Sequence, residues 1–420
     1  MPPHSVPAPP SATPRLNPDS RLTLAFLAAL VALGPLSVDM YLPAMPAMQR
    51  ALGADIAGMH LTLSAYLWGF SVFHLACGPL ADRYGRRPVL LAGTGTFILA
   101  SIGCALASSV EQLTVCRFVQ GLGACAGPTL ARTITRDVFG PRGAARALSL
   151  IAMLMALAPA IAPGLGGLML RYVPWPSVFF FLAGYGFAVL LIVVCRIPET
   201  LPAAQSLRPR AIAANYARLL RDPVFLPVAS ASALIYSGLM TYLACSGFVF
   251  IDMLGVPTEY FGLIFLTSVA GYMGGSACSA RLAARRPPAR VLFAGIRLAL
   301  LSTLLMLALH SLWPSSVLAL IVPMALYAAA LGLTLPQAMA MAMENFPRIA
   351  ATNSSLFGFL QMGLSALITA LVGLVLVATP MPMIVTMLVS DCFALLLVIY
   401  ARRRAPRQLP FDSVTETLQP

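Results

Sequence analysis

Three charged side chains lie inside long apolar stretches of this chain: Asp39, Arg117 and Asp391. A charged group within a lipid bilayer is costly unless it is paired or meets water, so such residues are candidates for function. A carboxyl group removed from water favours its protonated form, so Asp39 and Asp391 could hold a proton and release it when water arrives. Proton exchange at buried acids is the chemistry that these residues predict.

Each of these residues also has a structural interpretation. Asp39 could be an acid at the outer edge of its helix that meets water, and Asp391 could be hydrogen-bonded to a neighbouring helix without titrating. Arg117 could tune a proton site electrostatically, or it could bind backbone carbonyls of a neighbouring helix and make the bundle rigid. At the level of sequence these alternatives stay open.

A second group of charges is concentrated in one short loop between two apolar stretches, where residues 78–90 read GPLADRYGRRPVL. Because lipid offers no partner for backbone N–H and C=O groups, this segment must lie outside the hydrocarbon. Asp82 is suited to accept from backbone N–H groups at a neighbouring helix N-terminus, and Asp137 is the expected partner of Arg86. The loop could instead be only a topology anchor. Its residues with an expected role are Gly78, Asp82, Arg83, Gly85, Arg86 and Arg87.

The composition is that of a membrane protein. Of 420 residues, 59% are hydrophobic and only 10% are charged, whereas soluble domains have about 25% charged residues. The net charge of +13 comes from arginine alone, but a nucleic-acid-binding protein would need a basic face on a soluble domain. All eight cysteines fall in apolar stretches without metal-ligand spacing, so we expect buried side chains and no metal site. The four histidines are scattered, which argues against a membrane enzyme.

These residues must be positioned by membrane-spanning helices. With about 20 apolar residues per span, the sequence predicts an all-α polytopic membrane protein whose twelve transmembrane helices lie at 21–44, 57–80, 88–108, 111–135, 145–170, 174–195, 224–251, 259–281, 289–310, 315–337, 349–376 and 381–401. The predicted organisation begins with a disordered cytoplasmic tail (1–20) and a six-helix bundle (21–195). A cytoplasmic linker with an amphipathic helix (196–223), a second six-helix bundle (224–401) and a cytoplasmic tail (402–420) follow.

The distribution of arginine predicts the orientation. Most arginines fall in the tails and the even-numbered connections, and only Arg50 and Arg171 fall in the odd-numbered ones. Because cytoplasmic loops carry an excess of basic residues, both termini are expected to be cytoplasmic.

The two predicted halves contain a weak internal repeat. ADRYGRRP at 81–88 corresponds to ARLAARRP at 280–287, with Arg281 in the place of Asp82. Duplicated six-helix halves are typical of transporters, and they make the two bundles pseudo-symmetric. A passive channel is disfavoured, because the repeat and the charged loop together indicate two alternating states.

Several motifs carry a resemblance to a known family. The loop at 78–90, LTVCRFVQGLG at 113–123 and PET at 198–200 resemble the major facilitator superfamily. Within it, VDMYLPAMPAM at 38–48, ARTITRDVF at 131–139 and APAIAPGLGG at 158–167 resemble the drug:proton antiporter branch, of the Bcr/CflA type and similar to MdfA-type multidrug exporters. Two positions where the antiporter motif has glycine are Ala158 and Ala162 here, and the second acid of MdfA-type exporters is absent from 28–33.

The resemblance implies roles for particular residues. It implies that the charged loop clasps the two halves in the outward-facing state, that Arg117 is a buried motif arginine, and that Asp39 lies against the central cavity. The helix of the antiporter motif then contains Pro159, Pro163, Gly166 and Gly167. The spans that should line the cavity offer Tyr66, Trp68, Met155, Tyr236 and Gln361, although each of these could be ordinary packing.

We therefore expect a proton-coupled antiporter that exports drugs or other small amphipathic compounds across the bacterial inner membrane by alternating access. Its partners would be drug-like molecules, protons and membrane lipids, with no nucleic acid and no cofactor beyond the proton gradient, and it would be a monomer. The alternatives are a metabolite transporter of the same fold and, more remotely, a polytopic membrane enzyme.

Overall fold

A computed structural model describes residues 21–155, 158–201, 209–344, 346, 349–376 and 379–404. Side chains are also left undescribed at 21–22, 136, 140–150, 152–155, 209 and 350–351. The predicted tail at 1–20 and residues 405–420 lie outside this description, as does the side chain of the cavity candidate Met155.

The described chain is built from α-helices. They are α1 Arg21–Asp39, α2 Met45–Leu52, α3 Ile56–Tyr84, α4 Arg86–Ala105, α5 Val110–Met155, α6 Ala158–Tyr172, α7 Pro176–Arg196, α8 Pro209–Leu220, α9 Phe225–Ser246, α10 Phe261–Ala283, α11 Pro288–Leu312, α12 Leu318–Glu344, α13 Ala350–Val375 and α14 Met381–Arg404. In the described residues, ten helical segments are long and apolar enough to cross a membrane. Following the predicted orientation, we call the end with the junctions at 85 and 284–287 the inner end, and the opposite end the outer end.

The fourth and fifth predicted spans correspond to α5 and α6, which are not among those ten segments. The predicted connection at 136–144 is helical, because α5 continues to Met155. Val110 at the start of α5 contacts the Cβ position of Gly58 at the outer end, and Gly166 of α6 approaches Met40, also at the outer end. The chain therefore runs from the outer end to the inner end and back between Val110 and Gly166, as two spans require.

The first span is broken rather than continuous. It was predicted as one helix over 21–44, but α1 ends at Asp39, a 3-10 turn covers Leu42–Ala44, and α2 follows. Pro43 and Pro46 have no backbone N–H to donate, which explains why the regular helix ends here. The seventh span has a matching irregularity, since α9 is followed by the π-helical segment Gly247–Met253. Asp39 is thereby placed at a break in the helix.

A close crossing of α3 and α5 positions the interior of the N-terminal half. A Cβ atom on Gly69 would lie 2.1 Å from the carbonyl oxygen of Phe118, and one on Gly121 would lie 2.1 Å from that of Tyr66. Only glycine allows this approach, and it brings Tyr66 of α3 beside Arg117 of α5.

The two halves meet along α3 and α13. Ser64 donates to the carbonyl of Ala366, and Ser71 Oγ donates to the carbonyl of Phe359 at 2.9 Å. Between the halves, α8 lies against α3, because the Tyr216 hydroxyl donates to the carbonyl of Leu75 at 3.1 Å.

Candidate substrate and proton site

Arg117 is fully buried and is surrounded by aromatic rings. Its Cζ lies 4.3 Å from the ring centroid of Tyr41 and 4.3 Å from that of Tyr66. Nη1 donates to the carbonyl of Ser37 at 3.3 Å and to Oε1 of Gln120 at 2.6 Å. Nε and Nη2 have no protein acceptor among the described residues, so the faces of the rings provide the attraction for this side of the cation.

The Arg117 network ties several helices of the N-terminal half together. Gln120 Nε2 donates onward to Ser101 Oγ of α4 at 2.8 Å, and the Tyr41 hydroxyl is hydrogen-bonded to Thr62 of α3. The bond to Ser37 places the cation at the C-terminal end of α1, where the helix dipole favours positive charge. Arg117 thus holds the end of α1 in place, two residues before Asp39.

Asp39 is 4% exposed and lies at the break that ends α1. In the described parts of the chain neither Asp39 nor Arg117 takes part in an ion pair. The tyrosines close enough for electrostatic interaction with the Asp39 carboxyl include Tyr66 of α3 and Tyr236 of α9. Since α9 belongs to the C-terminal half, Asp39 lies where the two halves meet.

Asp391 is also fully buried, but it lies within the C-terminal half. Thr303 of α11 donates to Oδ2 of Asp391 at 2.7 Å, and the Tyr327 hydroxyl of α12 lies 3.0 Å from Oδ1. Asp391 is therefore a separate site, with polar partners on two neighbouring helices.

The remaining cavity candidates do not form one surface. Tyr66 is buried, and its hydroxyl donates to the carbonyl of Gly34 at 3.3 Å. Trp68, two residues further along α3, is 37% exposed and lies beside Gly363 of α13. Gln361 is half-buried and precedes Gly363 by two residues on α13, which is about half a helical turn. Tyr66 faces the Arg117 network, and Trp68 lies along the seam between α3 and α13.

The charged loop forms a compact cluster at the inner end. Arg86 pairs with Asp82, and its Nε lies 3.4 Å from Oδ2 of Asp137, so the expected Arg86–Asp137 pair is present. The carboxylate at the start of α4 is Glu199 rather than Asp82: it accepts from the backbone N–H groups of Arg86 at 2.9 Å and Arg87 at 3.1 Å. A carboxylate from a distant part of the sequence caps the start of α4, because the Asp82 carboxylate is paired with the side chain of Arg86.

All these partners belong to the N-terminal half or to the start of the linker that follows it. Arg87 Nη2 donates to the carbonyl of Val194 on α7, Thr200 Oγ1 donates to Asp137, and Arg83 is exposed. Of the loop residues, Gly78 is the one near the other half, its Cβ position being 3.8 Å from Ser355 Oγ of α13. Within the described residues, the charged groups of the loop are thus bonded to the N-terminal half and the linker, and no ion pair joins them to the C-terminal half in this conformation.

At the outer end the two halves are in close contact. Arg50 Nη1 lies 3.1 Å from Oδ1 of Asp252, and Arg171 Nη1 lies 3.6 Å from Oε1 of Glu259. These are the two arginines that the sequence places in the odd-numbered connections, and each pairs with an acid of the other half. We call these two pairs the outer ion pairs.

The helix of the antiporter motif contributes to the same contact. A Cβ on Gly167 of α6 would lie 2.2 Å from the carbonyl oxygen of Thr258, and one on Gly166 would lie 2.7 Å from that of Met40. Pro163 is buried and Pro159 half-buried on this short helix. The glycine face of α6 therefore lies between α1 and the first turn of the eighth span.

Comparison with known proteins identifies the family. Residues 26–370 match the family described as the Major Facilitator Superfamily. The chain belongs to the major facilitator superfamily. It is a multi-pass membrane protein and a transporter of that superfamily.

Relatives in the superfamily cover most of the chain. An uncharacterized MFS-type transporter, YdgK of Bacillus subtilis, is 32% identical over 84% of this chain and 89% of its own. A bicyclomycin resistance protein homolog of Haemophilus influenzae is 28% identical over 87% and 92%. The multidrug resistance protein MdtL of Escherichia coli is 35% identical over 57% of this chain and 61% of its own.

Two solved superfamily structures share the fold. A D-xylose–proton symporter superposes with a TM-score of 0.70 at 13% identity, covering 91% of this chain and 97% of its own. A bacterial homolog of the human lysosomal transporter Spinster, in an inward-facing and occupied conformation, gives 0.72 at 15% identity, covering 94% and 98%. At these identities the likeness concerns the fold alone.

Sequence reasoning missed several residues of this superfamily member. Tyr41, Gln120 and Ser101 complete the Arg117 network, and Thr303 and Tyr327 surround Asp391. Hydroxyl and amide groups are common in apolar helices, so no sequence signal separated these from the rest. The outer ion pairs did have a signal, since Arg50 and Arg171 depart from the positive-inside pattern and need partners.

Proposed function

We propose that this protein exports drug-like, small amphipathic compounds in exchange for protons across the bacterial inner membrane, as a monomer with both termini in the cytoplasm. The names of the bicyclomycin and multidrug resistance relatives support the class of substrate. The arginine distribution supports the orientation.

The position of Asp39 carries this proposal. It is a buried acid without an ionic partner in the described residues, at a break in the first span, and within electrostatic range of a tyrosine of each half. A carboxyl in that position holds a proton while it is shielded and releases it when substrate and water reach it. Competition between proton and substrate at one acid produces reciprocal linkage between the two.

The conformation described here has its outer end closed. The outer ion pairs and the close approach of Gly167 to Thr258 join the halves there. The charged loop at the inner end is bonded to the N-terminal half and to Glu199 of the linker, and its Gly78 approaches Ser355 of α13. Opening to the outside requires that these outer contacts break.

Arg117 has a positioning role in this scheme. By binding the carbonyl of Ser37 it sets the end of α1, and hence the location of the Asp39 carboxyl. Its charge is compensated by tyrosine rings rather than by Asp39, so Asp39 is free to bind a proton.

Growth of a drug-sensitive bacterial host tests the function. Cells expressing the protein are challenged with bicyclomycin, chloramphenicol and a lipophilic cationic dye, each with and without a protonophore. We expect resistance to at least one compound, and we expect the protonophore to abolish it. Resistance that persists after the proton gradient has collapsed, or no resistance to any compound at a normal membrane level of protein, would contradict the proposal.

A further inference from the structure

Asp391 forms, with Thr303, Tyr327 and the backbone of α9, a hydrogen-bonded cluster that transport through Asp39 does not require. We propose that Asp391 is a second proton-binding site, that it carries its proton in this conformation, and that this proton controls a hydrogen bond between α12 and α9. The proton site and its hydrogen bonds lie in the C-terminal half, so the inference stands whether or not the protein exports drugs.

The hydrogen-bond partners of Tyr327 show where the protons must be. Its hydroxyl oxygen lies 2.8 Å from the carbonyl oxygen of Ile235 and 3.0 Å from Oδ1 of Asp391. A tyrosine hydroxyl has one hydrogen to donate, and a backbone carbonyl can only accept. When Tyr327 donates to Ile235, the contact with Asp391 is a hydrogen bond only if Asp391 donates, which requires a protonated carboxyl.

Thr303 completes the set of bonds around the protonated form. Its hydroxyl oxygen lies 2.7 Å from Oδ2 of Asp391 and 3.2 Å from the carbonyl oxygen of Ala299. We assign its hydrogen to the shorter contact, so that it donates to the carboxyl oxygen that does not carry the proton. With Asp391 protonated on Oδ1, both carboxyl oxygens, the Tyr327 hydroxyl and the Ile235 carbonyl are all bonded. Without that proton, Tyr327 must donate to the carboxylate instead, and its bond to the Ile235 carbonyl is lost.

The surroundings of Asp391 provide no compensation for a negative charge. Asp391 is 0% exposed, and no basic residue is within ion-pair distance among the described residues. The groups that face it are Thr303 of α11 and Tyr327 of α12, while α9 and α13 contain no acidic residue, arginine or histidine. A buried carboxylate with hydroxyl partners alone is less stable than the neutral acid.

Gly238 leaves a notch in the surface of α9, and the Tyr327 hydroxyl occupies this notch. A Cβ atom on Gly238 would lie 2.0 Å from the Tyr327 hydroxyl oxygen and 2.8 Å from Cζ. Only glycine at this position lets the hydroxyl reach the Ile235 carbonyl, one helical turn earlier. Both the notch and the Ile235 carbonyl belong to α9. Through this helix the Asp391 site is connected to the interface between the halves.

The connection to α9 has a mechanistic consequence. Ile235 is followed directly by Tyr236, which lies close to Asp39. Release of the Asp391 proton to solvent water would turn the Tyr327 hydroxyl towards the carboxylate and free this part of α9 from α12. The protonation state of one half is thereby linked to the helix that faces the proton site of the other half.

Infrared spectroscopy of the purified full-length protein tests the proton directly. In an Asp39→Asn background with ¹³C-labelled aspartate at neutral pH, we expect an isotope-sensitive carbonyl stretch of a protonated carboxylic acid that Asp391→Asn removes. The matched control is Asp252→Asn, which removes an exposed, ion-paired acid and should instead diminish a carboxylate band. If Asp391→Asn removes a carboxylate band and leaves the acid band intact, the proposal is wrong.

Two further variants test the cluster even if Asp391→Asn does not fold. Tyr327→Phe removes the acceptor of the Asp391 proton, and Gly238→Ala displaces the Tyr327 hydroxyl. In both, we expect the acid band to shift to higher frequency, because the carboxyl loses a hydrogen bond. A matched alanine at Gly274 of α10, where a Cβ meets no atom within 4 Å, should leave the band unchanged. An unshifted acid band in both Tyr327→Phe and Gly238→Ala would overturn the proposed bond.

Discussion

At the scale of single residues, the proposed mechanism gives separate tasks to Asp39 and Arg117, the two buried charges of the N-terminal half. Asp39 has no ionic partner in the described residues, and Arg117 is held by rings, an amide and a carbonyl. A cation paired with Asp39 would stabilise the carboxylate and oppose proton binding. In the proposed mechanism, the separation of the two charges leaves Asp39 available for proton exchange.

The substitution Asp39→Asn should abolish export. An amide matches the shape of the carboxyl but cannot release a proton, so we expect drug resistance at least tenfold lower at an unchanged membrane level of protein. Asp55→Asn is the matched control, because Asp55 caps α3 by accepting from Gly58 N at 2.7 Å and asparagine caps equally well. Retained export by Asp39→Asn would exclude Asp39 as the coupling acid.

Replacing Arg117 should act mainly on stability. Arg117→Gln leaves the Ser37 carbonyl and Gln120 Oε1 without their donor, which costs about 1–3 kcal/mol for an unsatisfied buried group. We expect a lower thermal midpoint in detergent for Arg117→Gln. The midpoint of Arg117→Lys should lie between those of Arg117→Gln and wild type, because lysine keeps the charge and a donor nitrogen. Arg297→Gln is the control, since Arg297 lies near the inner end of α11 over Phe293. Unchanged stability with lost proton coupling would favour the electrostatic interpretation instead.

At the scale of elements, the outer closure depends on irregular helix ends and on a glycine face. The outer ends of the first and seventh spans are broken at 40–44 and 247–253, and a Cβ on Gly247 would lie 2.6 Å from the carbonyl of Leu42. These irregular segments and α6 are the parts that must separate when the protein opens outwards.

The substitution Gly167→Ala should hold the outer end apart. Its Cβ would lie 2.2 Å from a backbone oxygen, which cannot move without shifting the eighth span. Spin labels at Ala51→Cys and Tyr260→Cys, in a background without native cysteines, should report a longer mean distance. The control is Gly184→Ala of α7, where a Cβ meets no atom within 4 Å, and it should leave the distance unchanged. If Gly167→Ala also leaves the distance unchanged, the close approach of Gly167 to Thr258 is not what keeps the outer end closed.

The outer ion pairs should stabilise the closed outer end modestly, and exchanging both charges of a pair should preserve that effect. Because Arg50 and Asp252 are partly exposed, their attraction is worth about 0.2–1 kcal/mol. Arg50→Asp and Asp252→Arg should each increase the outward-open population a few-fold in the same spin-label measurement, and the double exchange should restore it. Failure of the double variant to recover would mean that these charges do not act as a pair.

At the scale of the whole molecule, the fold was largely predictable. Apolar spans, the arginine distribution and the loop motif led to a major facilitator protein, which the comparisons confirm. The position of Arg86 beside Asp137 also followed from the sequence, because the two lie at the same membrane boundary.

The details of the site were less predictable, for physical reasons. Glu199 takes the position at the start of α4 expected for Asp82, and the end of α1 at Asp39 depends on prolines that follow it. Contacts such as Tyr327 with Gly238 join helices far apart in sequence. Periodicity predicts which segments are helical, but it carries no information on which faces of distant helices meet.

The central claim is that drug and proton compete for Asp39. Purified protein in weakly buffered detergent solution, at a pH where it is stable, is mixed with the compound to which it confers resistance, and the released protons are followed with a pH dye. The account predicts proton release by wild type and by Asp55→Asn, and none by Asp39→Asn. Equal release by wild type and Asp39→Asn, or drug binding by wild type without release at any pH, would contradict it.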